Sequence, residues 1–350
     1  MADRQVDLRS DTVTLPTPEM RRAMAEAELG DDVFRDDPTV IRLEELAAER
    51  VGKAAAVLVT SGTQGNLVGV LSHTQRGDEV ICGDQAHVFH YEVAGCAVVG
   101  GVQLRTVPNR EGMLDLAAAE AAIRPADLHV PRTAAICLEN THNRNGGAVV
   151  SVEHTTAVAD LAHRHGAKLH LDGARVFNAA VALGIDVKAL TGPVDSVTFC
   201  MSKGLSAPVG SILCGDAEYI QRARKYRKLL GGGMRQAGVI AAAGIVALNT
   251  MVDRLAEDHE NARVLAEGLA EIPGIVIDPA KVQTNLVFYD VTAPVGGAGL
   301  VKGLRERGVL ATSPYPGRIR MVTHHGITRE DVEYALRVIR DIVVGIPVGV

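Results

Sequence analysis

The chain has 350 residues, of which 47% are hydrophobic and 22% are charged, a composition typical of a globular protein and not of a disordered one. This length exceeds what one small core can organise, so it predicts a larger and a smaller domain that share an interface. The formal net charge of −6 argues against a nucleic-acid partner, which requires an excess of basic residues.

The cysteines and the lack of long apolar segments indicate in which cellular compartment the protein functions. The five cysteines form an odd set without paired spacing, and four of them lie in or beside apolar, strand-like runs, where a thiol behaves as a small hydrophobic group. We therefore expect a reducing compartment without disulfides. Charged residues near the start argue against a signal peptide, and no apolar run reaches the roughly 20 residues that span a bilayer. A cytoplasmic protein without a membrane partner is predicted.

The first part of the chain alternates short apolar runs with helical segments. The helix predicted over Ser151–His165 has a suitable N-cap in Ser151 and a suitable terminating residue in Gly166. Apolar strands that alternate with helices are typical of an α/β fold with a mostly parallel sheet covered on both faces. The predicted strands are Ala54–Val59, Glu79–Cys82, Thr133–Leu138, Lys168–Leu171, Ser196–Cys200 and Ser211–Cys214.

Beyond Asp216 the pattern becomes that of a smaller α+β domain. A helix over Asp216–Leu230 and three glycines precede one long helix predicted over Met234–Leu269. We place the domain boundary near residue 248, which gives an N-terminal segment 1–20, a large domain 21–247 and a small domain 248–350. The later predicted elements are strands at Ile275–Ile277, Asn285–Asp290 and Arg318–Thr323, a helix near Leu300–Arg307 and a last helix over Arg329–Val343.

Three strand ends carry reactive groups, and open α/β sheets bind ligands at the carboxyl ends of their strands. At the first of these ends, an apolar strand turns through Ser61, Gly62 and Thr63 into a helix. Gly62 permits close approach of a ligand, and the free amides of the helix start, with two hydroxyls, are suited to a phosphate. Taken alone, the same residues fit an ordinary helix cap equally well.

The other two strand ends offer an acid and an amine. Asp172 ends an apolar strand and is followed by Arg175, a spacing that by itself favours a structural ion pair. Lys203 is flanked by Ser and Gly and is the only one of the eight lysines that directly follows an apolar strand. A solvent-facing turn lysine is the plain alternative, but desolvation beside Phe199, Cys200 and Met201 favours the free, nucleophilic amine.

Together these three ends meet the requirements of one cofactor, pyridoxal 5′-phosphate (PLP). The cofactor needs a cradle for its phosphate, a carboxylate that keeps its pyridine nitrogen protonated, and a lysine that binds its aldehyde. Ser61, Gly62 and Thr63 supply the first, Asp172 the second and Lys203 the third. Each motif is weak by itself, whereas their occurrence at three strand ends predicts a PLP enzyme.

Several longer motifs make the chain resemble the L-threonine aldolases, PLP enzymes of the aspartate-aminotransferase fold type (fold type I). The resemblance covers essentially the whole chain and implies a PLP-dependent transferase fold with a large and a small domain. The motifs lie at Leu8–Thr14, Gly30–Val33, Ser61–Thr63, Glu139–Asn143, Asp172–Arg175, Ser202–Gly204, Gly231–Gln236 and Arg320–His324.

The resemblance implies further roles around the cofactor and the substrate. His87 matches the imidazole that stacks on the cofactor ring, and it can also exchange protons with a substrate hydroxyl. His129, in a predicted loop, matches a second imidazole near that hydroxyl, and Tyr91 is a further candidate for the pocket wall. Ser10 and Arg320 match the pair that binds the substrate carboxylate.

Other arginines have implied roles as well. Arg318 would share a strand face with Arg320 and is its rival for the carboxylate. Arg175 matches a residue near the cofactor's phenolic oxygen and the substrate carboxylate. Arg235, with Lys228 as a weaker companion, matches an arginine that reaches the phosphate of a neighbouring subunit. The resemblance therefore implies a homo-oligomer, a dimer of dimers, with a site shared across the dimer interface.

The expected reaction is cleavage of a β-hydroxy-α-amino acid such as L-threonine or L-allo-threonine to glycine and an aldehyde. A β-eliminating lyase and an aminotransferase share the cofactor and remain open, as does a non-enzymatic protein of the same fold. A nicotinamide dehydrogenase is disfavoured because Lys302 replaces the last glycine of the motif that starts at Gly297, so we interpret residues 296–299 as a loop. No cluster of metal ligands is apparent in the sequence.

Overall fold

A computed structural model describes residues 5–345, which form two units with a sheet in each. Residues 1–4 and 346–350, the ends of the predicted domains, lie outside the described part. The strands are β1 Val6–Asp7, β2 Ala55–Val59, β3 Glu79–Gly83, β4 Gln103–Val107, β5 Asn109–Arg110, β6 Met113–Leu114, β7 Thr133–Glu139, β8 Lys168–Asp172, β9 Ser196–Cys200, β10 Ser211–Gly215, β11 Ile275–Val276, β12 Leu286–Val291, β13 Val309–Leu310, β14 Thr312–Tyr315 and β15 Arg318–Val322. The helices are α1 Pro18–Ala25, α2 Pro38–Arg50, α3 Gly62–His73, α4 His87–His90, α5 Gly95–Val98, α6 Leu116–Ala122, α7 Val152–Arg164, α8 Val176–Leu183, α9 Val187–Thr191, α10 Ala217–Leu229, α11 Gly238–Thr250, α12 Leu255–Ala270, α13 Gly296–Glu306 and α14 Arg329–Val344.

The larger unit is built around a sheet that, within residues 5–345, has seven strands in the order β2-β10-β9-β8-β7-β3-β4. Only β10 runs antiparallel to its neighbours, and all other pairs in this described sheet are parallel. β7 and β9 are buried along their whole length, as expected for strands covered by helices on both faces. The predicted mostly parallel sheet is confirmed, and the carboxyl ends of its parallel strands lie along one edge.

Polar side chains cap the starts of α3 and α7, which follow β2 and β7. Ser61 caps α3, since its Oγ accepts a hydrogen bond from the Gln64 N–H at 3.1 Å. Ser151 caps α7 in the same way, and Gly166 follows the helix with a φ of +69° that favours glycine. The predicted helix Ser151–His165 is confirmed with its caps at both predicted ends.

Two edge strands escape prediction from the apolar pattern. β4 and β14 lie at the edges of their sheets, and most of their residues are exposed or half-buried. An edge strand has one unpaired side in contact with solvent, so its sequence need not be a continuous apolar run. The pattern used above finds strands through apolar runs, and these two strands have none.

The smaller unit contains an antiparallel sheet in the order β11-β12-β15-β14, with α12 and α13 packed against it and α14 packed against these two helices. The N-terminal segment belongs to this unit, because β1 pairs in parallel with β13. Val6 and Leu8 are fully buried in the same core. The two ends of the described chain therefore build one core together.

The long helix predicted over Met234–Leu269 is wrong, because the chain forms α11 and α12 with a bend of 70° between them. α11 packs into the core of the larger unit, which extends to Leu255, whereas residues from Ala262 onward belong to the core of the smaller unit. The bend is the point at which the chain passes from one core to the other. The predicted domain boundary at 248 lies within α11, before this bend.

The interpretation of residues 296–299 as a loop is also wrong, since they form the first turn of α13. A Cβ on Gly297 would lie 3.1 Å from the Cα of Gly317, so the helix start and a neighbouring turn are in close backbone contact. Glycine permits this approach. The glycines therefore serve packing of the smaller unit.

Among residues 5–345, no single helix is long and apolar enough to cross a membrane, and α11 and α12 reach that length and composition only as a bent pair.

Leu8→Ala should lower the free energy of unfolding by about 2–5 kcal/mol, because it leaves a cavity in the core that the N-terminal segment shares with the smaller unit. Urea denaturation followed by circular dichroism measures the change. Leu128→Ala is the matched control, since Leu128 is 96% exposed, and it should change the stability by less than about 0.5 kcal/mol. Equal effects of the two substitutions would contradict the docking of this segment.

Candidate active site

A cavity of about 350 Å³ lies where the carboxyl ends of the parallel strands face the smaller unit. Both units and the N-terminal segment contribute to its wall. No Asp or Glu side chain occurs among the lining residues, whereas several cations do. The lining residues are Ser10, Thr12, His87, Tyr91, Asn143, Arg144, Arg175, Lys203, Phe288, Thr312, Pro314, Tyr315 and Arg320.

The predicted phosphate cradle is the turn between β2 and α3. Gly62 lies so close to β9 that a Cβ in its place would be 2.8 Å from the Cys200 Sγ. The amides of the first turn of α3 have no partner within the helix, which gives this turn the character of an anion site. Glycine is thus required by packing, in addition to any role toward a ligand.

Asp172 ends β8 and is 5% exposed. Its Oδ1 accepts a hydrogen bond from the Ala174 N–H at 3.1 Å, and its Oδ2 accepts one from the Asn66 side-chain amide at 2.8 Å. The same amide nitrogen donates to the Glu92 Oε1 at 2.7 Å. Asn66 therefore holds two buried carboxylates beside each other.

His87 contacts one of these two carboxylates, that of Glu92. The His87 Nδ1 lies 2.9 Å from the Glu92 Oε1, and the His87 N–H of the backbone donates to the Glu139 Oε2 at 2.8 Å. Burial by itself lowers the pKa of His87, but the hydrogen bond to Glu92 and the charges of nearby carboxylates outweigh it and raise the pKa. Since Nδ1 faces Glu92, Nε2 is the nitrogen left for a ligand in the cavity.

Lys203 lies in the loop after β9 and lines the cavity. Its backbone carbonyl accepts a hydrogen bond from the Thr14 hydroxyl at 3.0 Å. The N-terminal segment therefore anchors the loop that carries the predicted nucleophile. No residue within the described chain forms an ion pair of 4.0 Å or less with the Lys203 amine.

Arg175 forms a buried, two-point ion pair with Asp11. The distances are 2.6 Å from Nε to Oδ2 and 2.7 Å from Nη2 to Oδ1. Asp11 is fully buried and Arg175 is 6% exposed. Burial by itself raises the pKa of Asp11, but the charge and hydrogen bonds of Arg175 outweigh it and hold the pKa well below its usual range. Arg175 lines the cavity as a cation that already has its counter-ion.

Arg320, by contrast, has no carboxylate within 4.0 Å among residues 5–345. Its Nη1 donates to the Arg9 carbonyl at 3.0 Å, and its Nη2 donates to the Asn143 Oδ1 at 3.3 Å. The Nε is buried without any partner. Burial and the neighbouring Arg175 lower the pKa of Arg320 to about 10, so the group is still charged at neutral pH. A buried, charged donor without a partner is an incomplete site for an anion.

The remaining predicted residues divide into those that reach the cavity and those that do not. Ser10 and Tyr91 line it. His129 does not, because it lies in the loop that precedes β7, its side chain is 86% exposed, and its Nδ1 contacts Asp127 at 2.9 Å. The start of a parallel strand is at the opposite edge of the sheet from the cavity. Within one chain the structure therefore does not support the predicted role of His129.

Lys228 and Arg235 also lie outside the cavity of their own chain. Arg235 is half-exposed and forms an ion pair with Asp31 at 3.0 Å. The glycine segment before it packs next to the cradle, since a Cβ on Gly232 would lie 2.5 Å from the Gln64 amide group. The Lys228 side chain lies against Gly233 in the same segment. Their predicted contact with a neighbouring subunit stays a prediction.

Three potential metal ligands come together although the sequence shows no such cluster. Ligand atoms of His87, Glu92 and Asp172 all lie within 4.8 Å of one another. However, the Asn66 amide donates to both carboxylates, and an N–H donor occupies the place from which a cation would interact with them. The arrangement is therefore a hydrogen-bond network.

Comparison with known proteins adds to this geometry. The profile of the family described as "Beta-eliminating lyase" matches residues 7–292. "Low-specificity L-threonine aldolase 1" of Arabidopsis thaliana is 50% identical over 96% of each chain. The chain belongs to the β-eliminating lyase family.

A bacterial relative and a solved structure agree with that placement. "Low specificity L-threonine aldolase" of Escherichia coli K12 is 45% identical over 93% of this chain and 96% of its own. The solved threonine aldolase of Leishmania major has a TM-score of 0.83 at 19% identity and covers 97% of this chain and 99% of its own, a likeness that concerns the fold. The resemblance and the fold class inferred from the sequence are confirmed.

Several residues that line or support the cavity were not predicted. Asp11 and Asn143 lie inside motifs that were noticed as a whole but not assigned a role. Asn66 and Glu92 follow the cradle and His87 by a few residues on helices or turns, and only that proximity could have indicated them. Their partners are distant in sequence, so their role depends on the tertiary structure.

Glu92→Gln should lower the pKa of His87, because it removes the negative charge next to Nδ1. The raised pKa keeps the imidazolium protonated to higher pH, so its loss moves the titration to lower pH. NMR titration of the His87 ring protons measures the shift. Glu153→Gln, at an exposed residue, is the control, and an unchanged His87 titration in Glu92→Gln would contradict the assigned contact.

Proposed function

We propose that this member of the β-eliminating lyase family is a PLP-dependent aldolase that cleaves L-threonine, L-allo-threonine and related β-hydroxy-α-amino acids to glycine and an aldehyde. The observation that carries the proposal is that Lys203 and Arg320 line one cavity. The first is an amine without an acidic partner in the described chain, and the second is a guanidinium with a buried, unpartnered Nε. They are suited to an aldehyde and to an α-carboxylate, respectively.

The residues present fit PLP. The turn with Ser61, Gly62 and Thr63 would hold its phosphate, Asp172 its pyridine nitrogen and Lys203 its aldehyde, with His87 beside the ring. Asp172 supports this assignment because its carboxylate is buried and held in place by Asn66. When bound, the cofactor supplies an electron sink for the cleavage of a bond to the substrate Cα.

The chain's own cations orient the substrate. Arg320 would bind the α-carboxylate through two donors, with Ser10 beside it, and burial makes this contact stronger than it would be in water. Arg175 is occupied by Asp11, so it lines the cavity with its charge already paired. Fixing the carboxylate at Arg320 fixes the orientation of the Cα–Cβ bond that is to be broken.

His87 would remove the proton from the β-hydroxyl, either directly or through one water. Glu92 holds the ring at Nδ1, so Nε2 accepts the proton and the developing imidazolium lies next to a carboxylate. The proton received from the hydroxyl and the electron pair of the broken bond thus go to different parts of the site. Addition of a proton to Cα, in place of the broken bond to Cβ, then gives glycine.

A β-eliminating lyase and an aminotransferase are the rival activities for the same cofactor. The products separate them, since only the aldolase gives glycine and an aldehyde without a 2-oxo acid. Incubation of the protein with PLP and each diastereomer of threonine, followed by assays for acetaldehyde and glycine, tests the proposal. Formation of a 2-oxo acid with no acetaldehyde would decide against it.

The proposal also covers the oligomeric state, the metabolic role and the cellular location of the protein. A homotetramer made of two dimers, with Arg235 and Lys228 reaching the cradle of a neighbouring subunit, is supported by their exposed position away from their own cavity. His129, exposed in its own chain, would reach a substrate only across such an interface.

Threonine catabolism that yields glycine in the cytoplasm fits the five free cysteines, all of them buried.

Lys203→Ala should abolish acetaldehyde formation from threonine while leaving the fold intact, because only the group that binds the aldehyde is lost. Circular dichroism checks the fold. Borohydride treatment followed by mass spectrometry should fix PLP to the wild-type chain and not to the variant. Lys168→Ala, at an exposed lysine, is the control and should retain activity. Turnover near the wild-type rate in Lys203→Ala would overturn the assignment.

Arg320→Ala should lower kcat/KM for threonine, by an amount that corresponds to a loss of about 2–5 kcal/mol of transition-state stabilisation. Much of the effect should appear in KM, since the carboxylate is charged in both ground and transition states, and some in kcat, since the Cα–Cβ bond loses its orientation. Arg320→Lys should restore activity only in part, because an ammonium lacks the planar fork of donors.

Arg318→Ala is the matched control for Arg320. Arg318 is on the same strand, but it is exposed and stacks on Phe288 at 5.4 Å, so its loss should be mild. If Arg318→Ala raises KM strongly and Arg320→Ala leaves KM unchanged, the α-carboxylate is bound by Arg318 and not by Arg320.

A further inference from the structure

The cavity contains one more unpaired cation than a threonine-like substrate requires. Four lysine or arginine side chains line it, and none of the lining residues is acidic. Arg175 has Asp11 as its counter-ion, and Lys203 and Arg320 are assigned above to the cofactor aldehyde and the α-carboxylate. Arg144 is left over.

Arg144 is held rigidly in the cavity wall. Its Nε donates to the Gln85 Oε1 at 3.0 Å, and its Nη1 donates to the Tyr91 hydroxyl at 3.1 Å. Its Cζ lies 5.6 Å from the centre of the Tyr91 ring and 5.0 Å from that of the Tyr315 ring. A guanidinium fixed by two hydrogen bonds and two aromatic rings has little freedom to swing into solvent.

No carboxylate of residues 5–345 lies within 4.0 Å of this guanidinium, and its Nη2 has no hydrogen-bond partner in that part of the chain. All three partners of Arg144, Gln85, Tyr91 and Tyr315, are uncharged. The positive charge is therefore positioned without being neutralised. This combination is typical of a site that receives an anion.

The position of Arg144 decides which part of a substrate it would meet. Its hydrogen-bond partner Tyr91 has its ring 5.3 Å from the ring of His87, so the guanidinium lies on the His87 side of the cavity. The phosphate cradle lies far from it along the sheet, at the end of β2, whereas Arg144 follows β7. A substituent on the carbon whose hydroxyl faces His87 would therefore face Arg144.

We propose that Arg144 binds a carboxylate carried by the β-carbon of the substrate, so that the enzyme also cleaves acidic β-hydroxy-α-amino acids, of which 3-hydroxyaspartate is the simplest. This inference rests on the proposed aldolase activity and specifies its substrate class. The two carboxylates of such a substrate would each meet one guanidinium, the α-carboxylate at Arg320 and the β-carboxylate at Arg144.

The reaction balances without any further reactant. The Cα–Cβ bond of 3-hydroxyaspartate breaks, the hydroxyl on Cβ loses its proton and becomes the aldehyde of glyoxylate, and Cα gains a proton to give glycine. No oxidant or reductant takes part. The chemistry is that of threonine cleavage with a carboxylate in place of the methyl group.

The test compares two substrates and two non-reacting probes on the PLP-loaded protein. The kcat/KM for 3-hydroxyaspartate and for threonine is measured in the wild type, Arg144→Ala and Arg144→Lys. Calorimetry gives the dissociation constants of L-aspartate and L-2-aminobutyrate, which differ in the charge on Cβ and lack the hydroxyl. Arg337→Ala is the matched control, because this exposed arginine also stacks on a tyrosine, at 5.9 Å, but lies on α14 outside the cavity wall.

Arg144→Ala should lower kcat/KM for 3-hydroxyaspartate about tenfold or more relative to that for threonine, and should weaken L-aspartate relative to L-2-aminobutyrate by a similar factor. Arg144→Lys should restore part of both ratios, since it keeps the charge. Arg337→Ala should change neither ratio. If circular dichroism shows that Arg144→Ala does not fold, the inference is tested by Arg144→Lys and by the wild-type affinities for L-aspartate and L-2-aminobutyrate.

Two results would overturn the inference while leaving the proposed function in place. One is cleavage of threonine with neither 3-hydroxyaspartate cleavage nor preference for L-aspartate in the wild type. The other is a change of oligomeric state in Arg144→Ala, seen by sedimentation, with both ratios unchanged, which would assign Arg144 to a subunit contact. Absence of threonine cleavage would instead refute the proposed function, and the binding ratio would still decide whether Arg144 recognises a β-carboxylate.

Discussion

The buried ion pair between Asp11 and Arg175 is the interaction on which the arrangement of the site depends. Asp11 belongs to the N-terminal segment, Arg175 follows β8 of the larger unit, and Asn285, just before β12 of the smaller unit, donates to the same carboxylate at 3.3 Å. One carboxylate thus connects the three parts of the chain that surround the cavity. Removing either partner would leave an uncompensated buried charge, which is among the most destabilising changes a core can undergo. The relative position of Arg320 and Lys203 follows from this contact.

A second constraint acts on the opposite side of the cavity, where Asn66 keeps two carboxylates next to each other. Like charges at such a distance repel, and the amide that donates to both makes their proximity tolerable. The two acids have different partners: Glu92 contacts His87, and in the proposed function Asp172 would contact the cofactor nitrogen. The predicted phosphate cradle is the start of the helix that also carries Asn66, so in the proposed function one helix would help to hold the cofactor and to place the imidazole of His87.

The electrostatics of the cavity follow from these two networks. Both networks place their carboxylates outside the cavity lining, so the lining residues are either cationic or neutral. Burial and repulsion from Arg175 disfavour the charge of Arg320 and lower its pKa, although Asp11 favours that charge. In the proposed function, a substrate carboxylate at Arg320 would offset that repulsion. The same reasoning applies to Arg144, whose charge is fixed in place by neutral neighbours.

The sequence by itself determined the elements whose signal is local: the strands buried on both faces, the capped helices, and the residues at strand ends that predict a PLP enzyme. Its longer motifs were sufficient to identify the family. Only the tertiary structure decided the bend between α11 and α12, the docking of the N-terminal segment on the smaller unit, the placement of His129 away from the cavity of its chain, and the partners of Asp11, Asn66, Glu92 and Arg144. The physical reason is that these contacts join residues far apart in the chain, and periodicity and capping report only on a residue's neighbours along it.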